Sequence, residues 1–466
     1  MDQKAEASPA RGDLAAEPPH SRTSRAVSGA TRSPAATAAP RPHILAPLAR
    51  RPVALLWSAL AFSALGDQLC AVALSWVAVE VLGAAAGYLS AGYAAIILVV
   101  IAFGGGFADR WNRRWSMVVA DALRCLVLVW FVSLWLAGDP PTALRLFGVL
   151  AALAVGEALF TPALQTILPS LIGEPRLLAA ANGLFDGTAR LARLLGPGVI
   201  ALASPFIPVM HFFSIDAASF LISGLAIASL AAVPAERVAR GGPCKVASGN
   251  LGRGFEALRG HPLLRSMLVA NGIVAGTWSA AFFVALPLAI TQQHVGGDGG
   301  ADIGTYGLLL TCYGVANLAA NVAVGSAGVP SRPGATVFLG LSLTGSGILF
   351  IACALAAPLP AGWRLPLLAL ATAFSGIGGP LKDITIATVR QLSVASRDMA
   401  AAMRVHLLLA YAGTLAVMLA TPSLCDRLGA VTVIALVGGV FLAVAGIGWA
   451  QPSVRESRSC GEAEGT

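Results

Sequence analysis

Long apolar runs, separated by short polar loops, set the rhythm of this chain. They fall at 53–79, 88–108, 115–137, 143–166, 182–204, 211–233, 265–290, 305–325, 335–357, 365–389, 402–424 and 430–450. A helix rises about 1.5 Å per residue, so each run is long enough to cross the roughly 30 Å hydrocarbon core of a bilayer. No water reaches the backbone at that depth, so each run must close its own hydrogen bonds as a helix. Twelve transmembrane helices are therefore predicted. Six runs follow one another closely, a longer polar stretch at 234–264 intervenes, and six more follow. The pattern divides the chain into an N-terminal tail (1–51), a first six-helix half (52–233), a linker (234–264), a second half (265–451) and a C-terminal tail (452–466). The first tail is rich in Ala, Pro, Ser and Arg and shows no periodicity. It is predicted to be disordered, whether it is functional or precedes the true start of the protein.

Composition agrees with the pattern. Of 466 residues, 56% are hydrophobic and 12% charged, against about 25% charged in soluble domains, and mean hydropathy is +0.76. The net charge of +8 does not point to nucleic acid, because the bases sit in the tail and in alternate loops. One set of loops holds Arg110, Arg113, Arg114, Arg176, Arg237, Arg240, Lys245, Arg253, Arg259, Arg332 and Arg397, whereas the other holds Arg145, Arg364 and Arg427. Positive loops stay in the cytoplasm, which places both termini there. The seven cysteines are scattered with no C-x-x-C, so neither a zinc site nor a disulfide framework is expected. No Gly-rich Walker loop is present, so ATP coupling is not expected and no cofactor is implied.

The loop at 105–114 reads Gly-Gly-Phe-Ala-Asp-Arg-Trp-Asn-Arg-Arg. Its arginines would be costly in hydrocarbon, so it lies in water. Asp109 is a lone acid among bases at a helix end, an arrangement suited to a charge lock between moving parts. Gly105, Asp109, Arg110, Arg113 and Arg114 form a pattern that resembles the signature loop of the major facilitator superfamily, with Asn112 where the usual pattern has Gly. Leu65-Gly66-Asp67-Gln68, the stretch from Phe160 through Pro169 to Gly198, and Gly254 to Arg259 with His261 to Arg265 resemble the branch that includes enterobactin and macrolide exporters. The resemblance implies an all-α integral membrane fold, with twelve transmembrane helices in two six-helix pseudo-repeats around a central cavity. Spans one, four, five, seven, eight, ten and eleven would face that cavity. It also implies a cytoplasmic gate in which Asp109 meets the start of span eleven near Arg404. Two features depart from drug–proton antiporters: the fifth-span motif lacks its second glycine pair, and Glu157 lies where an Arg is usual on span four.

Ionisable residues inside spans are functional candidates. Asp67 and Glu157 fall at mid-depth and are the candidate proton carriers. Thr161 and Gln165 follow Glu157 at helical steps, as do Asp186, Arg190 and Arg193 on span five and Tyr313, Asn317 and Asn321 on span eight. Together with Lys382 and Asp383 on span ten, these are the candidate cavity residues. Asp186 and Arg190 can pair with each other at i,i+4. Arg193 keeps its proton and needs an anion, which Asp67, Glu157 or the substrate would supply. Asp121 and Arg124 on span three, and Asp216 on span six, are read as structural.

The expected protein is a monomeric, multi-pass exporter of the bacterial inner membrane, driven by the proton gradient. Its partners would be the lipid bilayer and a small amphipathic substrate, anionic or zwitterionic: a siderophore or an antimicrobial. The rival readings are a drug or macrolide efflux pump, uptake rather than export, and a non-transporting membrane sensor that keeps the fold.

Overall fold

A computed structural model describes residues 45–103, 112–172, 174–230, 251–295, 303–327, 330–395 and 398–455. The helices are α1 (Arg51–Leu82), α2 (Ala86–Phe103), α3 (Arg113–Leu136), α4 (Ala143–Ile172), α5 (Pro175–Ala203) and α6 (Met210–Ser229). After a gap come the short α7 (Leu251–Arg259) and α8 (Pro262–Gln293), which contains a π-helical turn at Ala281–Ala285. Then follow α9 (Ile303–Ala327), α10 (Pro333–Ala356), α11 (Ala361–Ser393), α12 (Met399–Leu428), α13 (Ala430–Ala450) and the single turn α14 (Pro452–Arg455).

Among the described residues, ten stretches are long and apolar enough to cross a membrane. One of them, Arg51–Ile101, takes in both α1 and α2, which part at a turn where Gly83 adopts φ 57°. α5 is not among the ten, because Asp186, Arg190 and Arg193 line one face of it.

Pairing between helices repeats along the chain. Within α1–α6, α3 packs on α4 and α6, α1 on α5 and α6, and α2 on α4. The same order recurs in α8–α13: α10 packs on α11 and α13, α8 on α12 and α13, and α9 on α11. Two seams join the groups, α2 with α12 and α5 with α9.

Close backbone approach seals the seams at one end of the bundle. A Cβ on Gly307 of α9 would lie 2.7 Å from the Pro197 carbonyl of α5, and one on Gly87 of α2 would lie 3.0 Å from Pro422 of α12. Trp76 of α1 stacks on Tyr306 of α9 with centroids 6.0 Å apart. Toward the other end α5 and α9 part: Gly183 and Gly187 of α5 and Gly325 of α9 have nothing within 4 Å of where a Cβ would be.

The π turn lies at the sealed end and has its own chemistry. Leu286 N–H bonds the Ala281 carbonyl, five residues back. The next bond of that kind would run from residue 287 to Phe282, but Pro287 has no N–H. The buried Tyr306 hydroxyl donates to the Phe282 carbonyl instead, at 2.9 Å.

Three boundaries differ from the sequence reading. Residues 46–49, within the expected tail, form a 3₁₀ turn against α1 and α5. The linker carries α7, whose Gly254 sits against the Ala401 carbonyl and whose Arg253 pairs with Asp398 at 2.8 Å. α14 packs on α10 and α13 rather than belonging to a free tail. Each of these segments is too brief to stand out as a period in a largely apolar sequence.

Candidate functional site

α5 presents two unlike faces. Ala181, Leu184, Ala192 and Ile200 are buried, while Asn182, Asp186, Arg190 and Arg193 are exposed. Opposite stands α9, with Tyr313, Asn317 and Asn321 one turn apart. A cavity of about 460 Å³ lies between α1, α5, α8, α9 and α11. Arg190, Arg193, Tyr313, Asn317, Asn321, Lys382 and Asp383 all line it, so seven sequence-predicted residues converge on one space. Gln68, Asn271, Trp278 and Phe283 line it too and were not foreseen. None of them has the repeated helical spacing of polar residues that marked α5 and α9.

The α11 wall is built by glycine and proline. Gly376, Gly378 and Gly379 allow α11 to touch the backbones of α9 and α10; a Cβ on Gly378 would collide with the Gly340 carbonyl. Pro380 cannot donate to the carbonyl four residues back, which belongs to Gly376. Asn317 Nδ2 donates to that carbonyl at 3.0 Å. Asn317 Oδ1 and backbone O in turn accept from Asn321 Nδ2, both at 3.0 Å. The asparagine ladder is thus partly structural, and one of its members repairs the defect that Pro380 makes.

The cavity wall is cationic. Lys382 Nζ donates to Asn271 Oδ1 at 2.6 Å and pairs with Asp383. Arg190 Nε pairs with Asp186 Oδ2 at 2.8 Å, and Arg190 Nη1 reaches Asn321 Oδ1 at 3.5 Å. Arg193 is different. Its Nε donates to the Ala189 carbonyl at 3.4 Å, and it forms no ion pair among the described residues. Its charged neighbours are Arg190, Asp186 and Asp383. Aromatic rings close the far side: Trp278 packs on Phe282, Phe283 and Tyr313 with centroids 5.1, 5.4 and 5.7 Å away.

The remaining predicted residues lie elsewhere. Glu157 accepts from the Tyr93 hydroxyl at 2.6 Å and, with Thr161 and Gln165, forms an exposed face of α4 that does not line the cavity. Asp67 is half-buried, and its charged neighbours include Arg124 and Glu157. Neither acid pairs with Arg193, so two of its three expected anions are not used in this structure. Of the gate motif, Gly105, Asp109 and Arg110 lie outside the described residues. Arg114 Nε donates to the Ile227 carbonyl at 3.1 Å and its Nη2 to the Ala228 carbonyl, so it caps the end of α6. Arg113 starts α3, and Arg404 is half-buried on the first turns of α12.

Comparison with known proteins adds a family. The Major Facilitator Superfamily profile matches residues 56–381. Two curated relatives are each described as multidrug efflux pump Tap, from Mycobacterium tuberculosis (strain ATCC 25618 / H37Rv) and Mycobacterium bovis (strain BCG / Pasteur 1173P2). Each is 30% identical over 190 residues, 39% of this chain and 44% of the relative. The match therefore spans less than half the length of these relatives. Among solved structures, the nucleoside transporter NupG superposes with a TM-score of 0.65 at 14% identity, over 87% of this chain and 100% of that one. A peptide transporter POT in complex with sulfate gives 0.61 at 14% identity, over 86% and 94%. At such identity the likeness is one of fold.

Proposed function

The chain belongs to the major facilitator superfamily, and we propose that this multi-pass membrane transporter exports a small, anionic or zwitterionic, amphipathic molecule by proton-coupled alternating access. Its spans number twelve on this reading, six in each of two pseudo-repeats that rock about the cavity. The matching pairings of α1–α6 and α8–α13 support that division. The membrane is the bacterial inner membrane, both termini are cytoplasmic, and the parted end of α5 and α9 faces the cytoplasm.

One observation carries the substrate class: Arg193 stands in the cavity wall with no carboxylate paired to it among the described residues. A guanidinium in an apolar helix costs about 2.5–3.5 kcal/mol even by insertion scales, and an anion seated between Arg193 and Lys382 would offset much of that. The wall of Trp278, Phe283 and Tyr313 suits a flat, apolar remainder. Carboxylate or catecholate compounds, siderophores among them, fit both features. The relatives described as multidrug efflux pumps favour a second reading, in which the same aromatic wall takes drugs of varied shape.

Export from proteoliposomes tests the choice. A panel of carboxylates, catecholates and lipophilic cations would be loaded and followed. Arg193→Ala should abolish efflux of anionic compounds while the protein still reaches the membrane. Arg193→Lys should restore it only in part, because an ammonium cannot make the two-pronged bond to a carboxylate. Efflux of lipophilic cations alone, unchanged by Arg193→Ala, would defeat the anionic reading and leave the drug-pump one.

A further inference from the structure

The other concentration of charge lies off the cavity, in the packing of α1, α3, α4 and α6. Asp121 and Arg124 of α3 and Asp216 of α6 are 1%, 6% and 1% exposed. Asp67 of α1 is the fourth member: Arg124 is a charged neighbour of all three acids, and Asp67 of both Asp121 and Asp216. Asp121, Arg124 and Asp216 were read from sequence as structural and Asp67 as a proton carrier, and none of the four forms an ion pair among the described residues. Among the described residues, no well-aligned hydrogen bond reaches either carboxylate oxygen of Asp121, Oδ2 of Asp216 or Nε of Arg124, although Ser223 lies beside Asp121 and Cys70 beside Asp216. Asp216 Oδ1 accepts from Ser219 Oγ at 3.1 Å. The guanidinium instead lies over two rings, 5.5 Å from the centroid of Phe160 and 5.1 Å from that of Phe220. Glycines keep the pocket open around it. A Cβ on Gly156 would lie 2.5 Å from Arg124 Nε, and one on Gly66 would lie 2.5 Å from Asp216 Oδ1.

Charge counting decides what such a cluster does. One guanidinium balances one carboxylate, and three acids share it. An unpaired buried carboxylate costs several kcal/mol, so the group cannot stay dry and fully ionised. It has to hold protons. The aromatic faces hold Arg124 by cation–π attraction without committing it to any one acid.

We propose that Asp67, Asp121 and Asp216, gathered around Arg124, are the proton-binding site of this transporter, apart from the substrate cavity. This rests on the proton-coupled reading above. Protons enter through Glu157, which is exposed, bonded to Tyr93 and a charged neighbour of Asp67. The other polar groups facing the cluster are Cys70 of α1, Cys125 of α3, Ser219 and Ser223 of α6, and Tyr411 of α12 beyond Glu157. α1 passes the signal on. Asp67 faces the acids and Gln68, about 100° further round the helix, lines the cavity. Gly196 of α5 abuts Gln68. A change of charge at Asp67 therefore moves the helix that also forms the substrate wall.

Infrared difference spectra of the full chain in proteoliposomes, recorded between acidic and alkaline buffer, read this without any substrate. The probe is the proton itself, seen as a carboxylic-acid carbonyl band that disappears as pH rises. Asp67→Asn, Asp121→Asn and Asp216→Asn should each remove part of that band. Arg124→Gln should shift its titration, and Arg124→Lys should return it toward the original. An unchanged band and titration in the Asp121→Asn/Asp216→Asn double variant would overturn the proposal. Asp67 is only half-buried, so if the buried variants do not fold, an unchanged spectrum in Asp67→Asn overturns it equally. The titration does not depend on transport. A normal titration with no anion efflux would count against the proposed substrate, whereas efflux with no titrating acids would count against the proton site.

Discussion

Arg124 and Arg193 are the same residue type in helices of the same bundle, and their surroundings are opposite. Arg124 is buried among acids and phenyl rings, in a pocket shaped to its outline by Gly156. Arg193 is exposed in a cavity whose other cations are Arg190 and Lys382. One place has too many acids for its base, the other too many bases for its acids. Local charge imbalance is costly in apolar surroundings, and each place can be relieved by a small mobile species of the missing sign. Protons suit the first and an anionic solute the second. A coupled transporter needs both, and α1 touches both.

The largest test of this contrast is stability. Arg124→Ala should cost about 3–5 kcal/mol, because it strands buried acids, whereas Arg193→Ala should leave the unfolding midpoint almost where it was. Thermal unfolding in lipid nanodiscs compares the two. Equal losses would mean that Arg193 also has a permanent partner.

Next comes space. Gly66→Ala drives a methyl group against Asp216 and Ser219, and overpacking of that kind costs about 1–3 kcal/mol. The same unfolding assay measures it, and a neutral result would show that the acid pocket is looser than its distances imply.

A smaller effect attends Asn317→Ala. Interhelical hydrogen bonds in membranes average about 0.6 kcal/mol and reach about 1.7. This one should fall near the top of that range, because Pro380 cannot supply the helical bond to the Gly376 carbonyl. In the double variant with Pro380→Ala the helix recovers its own bond, so the loss should shrink. Additive losses would remove the argument.

The smallest effect should be Gly183→Ala on the open face of α5. Nothing lies within 4 Å of the added carbon, and alanine favours a helix over glycine by about 1 kcal/mol. A slight gain in midpoint, with efflux retained, marks that face as free of packing constraint.

Much of this could be read from the chain, and the limit was periodicity. Apolar runs announced the long helices, and polar residues at helical steps announced the faces of α5 and α9 that meet at the cavity. Asp121 and Arg124 also have helical spacing, yet spacing alone cannot show that Gly66, Gly156 and Asp216 converge on them from other helices. Gln68 and Asn271 escaped for the same reason: a polar residue outside a repeated spacing acquires its meaning from a distant neighbour. Thr161 and Gln165 showed the reverse: helical spacing from Glu157 suggested the cavity, but that exposed face of α4 does not line it.

The bond from Asn317 to Gly376 has one more consequence. A helix with a proline break usually bends at the break, and the orphaned carbonyl is where it gives way. Here that weak point is riveted to the next helix. α9 and α11 cannot slide past each other there without leaving that carbonyl bare, but they can turn about the rivet as a pair of scissors turns about its pin. Motion of the second half should therefore carry both helices as one lever, with Lys382, two residues beyond Pro380, swinging at the short arm.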